Sequence, residues 1–315
     1  MKLKIAIQMD DISTLKYESD STFLLGIEAS RRGYEIFYYT PDHLSYLNGK
    51  IVVRAFPTKF FEVGSSGKPY HLGGELLLDL QQMDVVLLRQ DPPFDMAYIT
   101  TTYLLEMLEP KVLVINRPAS VRNNCEKFFP TLFQKFMPPT LISADEKAIS
   151  EFYKEQRNII LKPLYGYGGK GVLLLKEKDP NFKALLEMFF AESKEPIVAQ
   201  KFLPEVASEE KRIILIDGEV AGVIGRIPEE GEVRANMRVG GQAVNSELTA
   251  RQKQICEAVR PVLKDMGLIL VGLDIIGDYL TEINITSPTG LRPINRLSGK
   301  NLEKDFWDVV EAKIR

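Results

Sequence analysis

Residues 158–176 read NIILKPLYGYGGKGVLLLK, and Gly166, Gly168 and Gly171 are spaced as G-x-G-x-x-G. What flanks those glycines limits the fold more than any other feature of the chain. A dinucleotide fingerprint needs a strand before the loop and a helix after it, because the helix N-terminus holds the pyrophosphate. Here Ile159-Ile160-Leu161 precede the loop as a short apolar run, and Val172–Leu175 follow as another without helical spacing. The segment therefore reads as strand, glycine loop, strand. Such loops let backbone N–H groups close over phosphates with no side chain in the way. A Walker loop is excluded, since Lys170 is followed by Gly171 and not by Ser or Thr. By itself the pattern fits a ligand-free glycine hairpin equally well.

At 315 residues the chain exceeds one ordinary core, so two or three domains are expected. With 45% apolar and 26% charged residues and a net charge of −3, it has the balance of a soluble globular protein without the basic excess of a nucleic-acid binder. The first residues read directly as a strand, which predicts no leader. No run is long enough to span a bilayer. Cys125 and Cys256 lie far apart and form no C-x-x-C, as expected of reduced thiols in a cytoplasmic protein. His43 and His71 are the only histidines, which argues against a His-rich zinc site and a Ser-His-Asp triad. Any metal must be held by oxygens.

The first 120 residues alternate strand and helix. Strands are predicted at Lys4–Met9, Glu35–Tyr39, Asp84–Leu88 and Val112–Ile115, with helices at Asp20–Arg32 (capped by Ser19 or Ser21) and Ala97–Leu108. This is an open α/β sheet whose first turn has no glycine fingerprint. Residues 55–75 look like a loop or an insertion. Asn116-Arg117-Pro118 marks a boundary, and strands grow more frequent beyond it. Arg212–Ile216 and Val220–Arg226 form a hairpin around Asp217-Gly218. Pro228–Gly241 reads as a mobile loop, Thr249–Met266 as a helix, Leu268–Leu273 as a buried strand and Leu302–Ile314 as a final helix.

In VGLDIIGDYLTEINITSPTG, residues 271–290, Asp274 interrupts one apolar strand and Glu282 the next, with Asn284 on the same face as Glu282. Charges inside apolar strands need compensation, and three hard oxygen ligands would suit Mg²⁺ or Mn²⁺. An exposed edge face, with the carboxylates in water, is the other reading. A two-residue loop would pair Asp274 with Thr281, so a three-residue loop, Gly277 to Tyr279, is predicted to bring Asp274 opposite Glu282. Mg²⁺ usually joins one or two carboxylates to substrate phosphates, so the glycine loop and the oxygen cluster explain each other. Lys162, at the end of the strand entering the loop, and Lys127 would meet phosphate charge.

RQDPPFD (89–95), NCEK (124–127), ILKPLYGYGGKGV, AQKFLP (199–204) and VGLDIIGDYLTEINITSPTG together closely resemble the bacterial glutathione synthetases, which are ATP-grasp ligases. The resemblance implies a three-part ATP-grasp fold: an N-terminal open parallel α/β domain (1–119), a small lid with the glycine loop (120–200), and a C-terminal antiparallel-sheet domain (201–315). It implies ATP with Mg²⁺ as cofactors, and γ-glutamylcysteine and glycine as substrates. It places Lys127, Lys162 and the loop glycines Gly166, Gly168, Gly169 and Gly171 on the phosphates. Gln200, Lys201, Phe202 and Leu203 fall beside adenine, and Glu210 on ribose. Asp274, Glu282 and Asn284 match the metal ligands. Arg212, Arg226 and Arg234 match basic residues near the dipeptide and the transferred phosphoryl group. Asp20, Ser21, Asp91, Ser287 and Thr289 fall on the substrate side. The loop here reads YGYGGKG where the family has DGMGGAS, and residues 55–75 and 290–303 match poorly.

The resemblance further implies a homo-oligomer and a two-step reaction through an acyl phosphate. Phosphoryl transfer asks mainly for positioning and charge neutralisation, which accounts for the lack of a candidate histidine base. Rival readings are another carboxylate–amine ligase on the same fold, a phosphotransferase, and a nucleotide-binding module without turnover.

Overall fold

The computed structural model describes residues 2–64, 67–237 and 240–314. Its first sheet contains β1 (Lys4–Gln8), β2 (Glu35–Tyr39), β3 (Leu44–Leu47), β4 (Lys50–Phe60), β5 (Tyr70–Leu72), β6 (Leu76–Asp79), β7 (Val85–Leu88) and β8 (Leu113–Ile115). The order β2-β1-β7-β8 is parallel, as the continuous apolar runs predict, and β4 extends it antiparallel with β3, β5 and β6. Helix α1 (Ser21–Arg31) shares a core with Ile5, Ile7, Val85 and Leu87, whereas α2 (Met96–Glu106) shares one with Ala6, Val86 and Leu88. The two helices therefore cover opposite faces, set by the alternation along each strand.

Three readings need correction here. Residues 55–75 are not one loop: β4 runs to Phe60, with Pro57 opposite Phe37, and β5 spans Tyr70–Leu72, while residues 65 and 66 of that range lie outside the described residues. The cap of α1 is Asp20, whose carboxylate accepts from Phe23 N at 2.6 Å, and not either serine. The strand expected at Leu268–Leu273 runs instead from Leu270 to Ile276.

Helix α3 (Pro118–Asn123) leads into a small antiparallel sheet in the order β11-β10-β12-β9, made of β9 (Thr140–Ser143), β10 (Ile159–Pro163), β11 (Leu173–Leu175) and β12 (Ile197–Lys201). Helices α4 (Glu146–Gln156) and α5 (Phe182–Glu192) pack against it, and its core, built from residues such as Ile149, Leu161 and Leu186, is separate from the other two. A third sheet runs β15-β14-β13-β16-β17, with β13 (Glu210–Ile216), β14 (Glu219–Ile227), β15 (Gln242–Asn245), β16 (Leu270–Ile276) and β17 (Tyr279–Asn284). It is covered by α6 (Ala250–Asp265), α7 (Leu291–Ser298) and α8 (Leu302–Ile314).

The first and third sheets share their cores. Val259 and Leu273 pack in one cluster with Val86, and Trp307 of α8 packs in the other with Phe23. Trp307 Nε1 also donates to Leu25 O at 2.9 Å. At the seam, buried Asn116 donates to Leu270 O (2.7 Å) and Ile285 O (2.8 Å), and its Oδ1 accepts from Ile269 N (2.7 Å) and Leu270 N (2.9 Å). One amide thus satisfies four backbone groups that the meeting of two sheets would otherwise orphan.

Candidate active site

The glycine loop joins β10 to β11 as an antiparallel hairpin, with Ile159 opposite Leu175 and Leu161 opposite Leu173. Gly168 and Gly169 have φ of +63° and +79°, which an L side chain rarely adopts, so the loop turns on residues without Cβ. Gly171, also left-handed, serves its base: a Cβ there would lie 2.9 Å from Pro163 Cγ. Gly166, Gly168 and Gly169 line a cleft between the small sheet and the third sheet, whereas Gly171 does not.

Among the described residues, four buried cations line that cleft. Lys162 is buried on β10, and its Nζ donates to Gln200 Oε1 at 3.1 Å. Gln200 Nε2 donates in turn to Thr140 Oγ1 (2.8 Å), which donates to Pro138 O (2.8 Å). Burial pushes the Lys162 ammonium below its ordinary pKa, with the charge of Glu282 opposing. Lys127 donates to Gly166 O and lies 3.4 Å from Glu282 Oε1. Arg212 grips Asp274 bidentately, Nε to Oδ1 at 2.6 Å and Nη2 to Oδ2 at 2.9 Å. Arg226 Nη2 bridges Asp274 Oδ1 (3.0 Å) and Glu210 Oε2 (2.9 Å). Its Nε is buried with no partner among the described residues. Burial alone would raise the Asp274 carboxyl, but the two guanidiniums hold it well below the usual carboxylate range. Burial pushes Glu210 up, against the pull of Arg226.

Asp274 lies opposite Glu282, so both side chains share one face, but not through a three-residue loop. Ile276 pairs with Tyr279 across a two-residue turn at Gly277-Asp278, and a bulge then shifts the register between Ile275 and Asp274. The extra residue on β17 is Thr281, whose hydroxyl donates to Asp274 O at 3.0 Å. Asn284 Nδ2 approaches Asp274 Oδ2 at 3.3 Å. Among the described residues no three His, Cys, Asp or Glu side chains form a self-sufficient cage. The donor set of two carboxylates and one amide fits a hard cation that takes further oxygens from a bound phosphate, with the amide turned to present Oδ1.

Lys201, Phe202, Leu203 and Glu210 line the cleft near Gln200, and Asp91, Ser287 and Thr289 line its other end. Ser287 Oγ donates to Asp91 Oδ1 at 2.5 Å. Arg234, from the loop after β14, donates to Gly169 O at 3.3 Å, so that loop and the glycine loop touch. Asp20 and Ser21 lie behind the cleft and do not line it. Asp20 caps α1, and buried Ser21 Oγ accepts from Gly290 N at 3.2 Å. Sequence reasoning passed over Arg89, which is buried and donates from Nη2 to Pro288 O at 3.0 Å. It also passed over Glu126, although that residue adjoins Lys127 in the quoted NCEK run.

Residues 3–122 match the model of the prokaryotic glutathione synthetase N-terminal domain, and residues 126–299 that of its ATP-grasp domain. The chain is 52% identical over 313 residues to the glutathione synthetase of Mesorhizobium japonicum, covering 99% of each chain. It is 52% identical to that of Brucella melitensis, covering 99% of this chain and 100% of that one. With the Pseudomonas aeruginosa enzyme it shares 40% identity over 100% of this chain and 99% of the relative. Among solved structures, D-cycloserine synthetase DcsG superposes with a TM-score of 0.68 at 15% identity, over 99% of this chain and 100% of that one. The ATP-grasp ligase PsnB gives 0.63 at 16% identity, over 100% of both. Those two show the fold. The chain belongs to the prokaryotic glutathione synthetase family and is an ATP-dependent ligase of the ATP-grasp fold.

Proposed function

We propose that this chain joins γ-glutamylcysteine to glycine, with ATP cleaved to ADP and phosphate. The observation that carries the reading is the pairing of Asp274 with Glu282 on one face, opposite a glycine loop and within reach of Lys127, Arg212 and Arg226. In the first step a carboxylate oxygen of γ-glutamylcysteine attacks the γ-phosphorus, and the bond to ADP breaks. In the second the glycine amine attacks the acyl carbon, a proton leaves the nitrogen, and phosphate departs with the attacking oxygen. Phosphorylation is needed because a carboxylate has no usable leaving group.

The residues divide by chemistry. Lys127, Lys162 and the N–H groups of the glycine loop hold the triphosphate. The backbone from Gln200 to Leu203 borders adenine, and Glu210 meets ribose. Asp274, Glu282 and Asn284 would hold Mg²⁺, which when bound supplies charge neutralisation on the phosphate oxygens. Arg212, Arg226 and Arg234 face the substrate carboxylate and the moving phosphoryl group, and the unpartnered Nε of Arg226 is a donor for such an anion. Ser287 and Thr289 border the peptide carboxylate. Arg234 on Gly169 supports two loops closing together, which keeps water from the acyl phosphate. No helix among the described residues is long and apolar enough to cross a membrane, and a cytoplasmic homo-oligomer remains our reading.

The test is an omission assay with ATP, Mg²⁺, γ-glutamylcysteine and glycine. Full ADP release should require both acid and amine. Release without the amine would indicate a phosphotransferase, and no release a binding module.

A further inference from the structure

The loop from Ile285 to Gly290, which carries Ser287 and Thr289, is tied down from four places. Asp91 accepts from Ser287 Oγ, Arg89 donates to Pro288 O, Arg212 Nη1 donates to Thr289 O at 3.0 Å, and Ser21 accepts from Gly290 N. Its entrance is held by none of these but by Asn116, whose Nδ2 donates to Ile285 O at 2.8 Å, and by Glu126. There, Glu126 Oε1 accepts three hydrogen bonds, from Ile285 N (2.9 Å), Thr286 N (3.0 Å) and Thr286 Oγ1 (2.8 Å). Glu126 O also accepts from Ile283 N at 3.1 Å, so the segment before Lys127 runs against the end of β17. Lys127 follows directly and reaches Glu282 Oε1 and Gly166 O.

We propose that Glu126 is a positioning residue that locks the substrate loop to the segment carrying Lys127, so that the acid and the phosphate it attacks keep one register. The inference rests on the functional reading above in placing the dipeptide carboxylate at Ser287 and Thr289. The geometry is that of an anchor. One carboxylate oxygen takes two successive backbone N–H groups and a hydroxyl, which fixes the loop entrance from a residue that also lines the cleft. The cation beside it, Lys127, reaches Glu282 and Gly166 O rather than the loop. What the site needs from position 126 is an acceptor at Oε1, and a glutamine supplies one in the same place.

Two variants separate this role from the alternatives. Glu126→Ala removes the anchor. Its amides at Ile285 and Thr286 should exchange with solvent at least about 10-fold faster, measured without any substrate. Its KM for γ-glutamylcysteine should rise about 10-fold and its kcat fall by about 10- to 100-fold, as small misplacements do. ATP affinity should stay within about 2-fold, since Lys127 is retained. Glu126→Gln should restore slow exchange and return both kinetic constants to within about 3-fold of wild type. If Glu126→Gln is as impaired as Glu126→Ala, the negative charge matters and the anchor role is wrong. Fast exchange in Glu126→Ala with unchanged kinetics would also overturn it. Should Glu126→Ala not fold, Thr286→Val removes one of the three donors, and unchanged exchange and KM there would refute the proposal. A wild-type enzyme that makes no product from these substrates would sink the functional reading, while the exchange rates still report on the anchor.

Discussion

Asp274 sits directly opposite Glu282, although the two-residue turn between their strands would by itself set it against Thr281. The bulge at Thr281 makes the difference, and their environments then diverge. Asp274 is buried between two arginines, whereas the Glu282 side chain is 22% exposed and meets Lys127. Asp274→Asn should therefore lower turnover at least about 100-fold and stability by about 3–5 kcal/mol, because Arg212 and Arg226 are left buried against a neutral amide. Glu282→Gln should lose turnover comparably but less than about 1 kcal/mol of stability. Steady-state kinetics beside urea denaturation measure both. Equal stability losses would contradict the assignment.

Asn116 satisfies four backbone groups at the seam between two sheets. Asn116→Leu leaves them buried without partners, at a cost of about 3 kcal/mol or more. The denaturation midpoint should fall with m unchanged. A loss below about 1 kcal/mol would mean that the seam relaxes and rehydrates.

Lys162 has a pKa pushed below the ordinary lysine value of 10.5, chiefly by burial. Phosphate oxygens favour its charged form, so nucleotide binding should raise that pKa and take up protons where the free ammonium is partly deprotonated. ATP affinity should then fall as pH rises through that range. Calorimetry in buffers of different ionisation enthalpy reads the uptake directly. In Lys162→Arg, which does not titrate there, the uptake should vanish. Equal uptake in the arginine variant would assign it to another group.

Tyr165 of the glycine loop stacks on Phe94, with centroids 6.2 Å apart and an interplanar angle of 19°. The contact ties the loop to the segment that carries Asp91. An aromatic pair contributes about 0.5–1.5 kcal/mol. Tyr165→Ala should raise the KM for ATP about 2- to 10-fold, and Tyr165→Phe should not. Equal effects would assign the role to the hydroxyl.

How much of this was legible in the sequence follows from the range of each signal. The strand–loop–strand reading around Gly166–Gly171 and the buried strands came through because they are local patterns. Asp274 and Glu282 stood out as charges in apolar runs, and their pairing was foreseen. The bulge was not, because one extra residue in a strand leaves no mark on composition. The end of β4 and all of β5 were hidden because residues 55–75, rich in Gly, Phe and Ser, look like a loop. Glu126 and Asn116 looked like ordinary polar residues, because their side-chain partners lie 159 or more and 153 or more positions away, respectively, and only the folded chain brings them together. The shared core between the first and third sheets was hidden for the same reason.

The acyl phosphate is the centre of the account, and oxygen tracing tests it most directly. γ-Glutamylcysteine labelled with ¹⁸O in its C-terminal carboxylate should yield inorganic phosphate carrying one ¹⁸O per peptide bond formed, because the attacking oxygen leaves with phosphorus. Unlabelled phosphate from a reaction that still forms the peptide would contradict it.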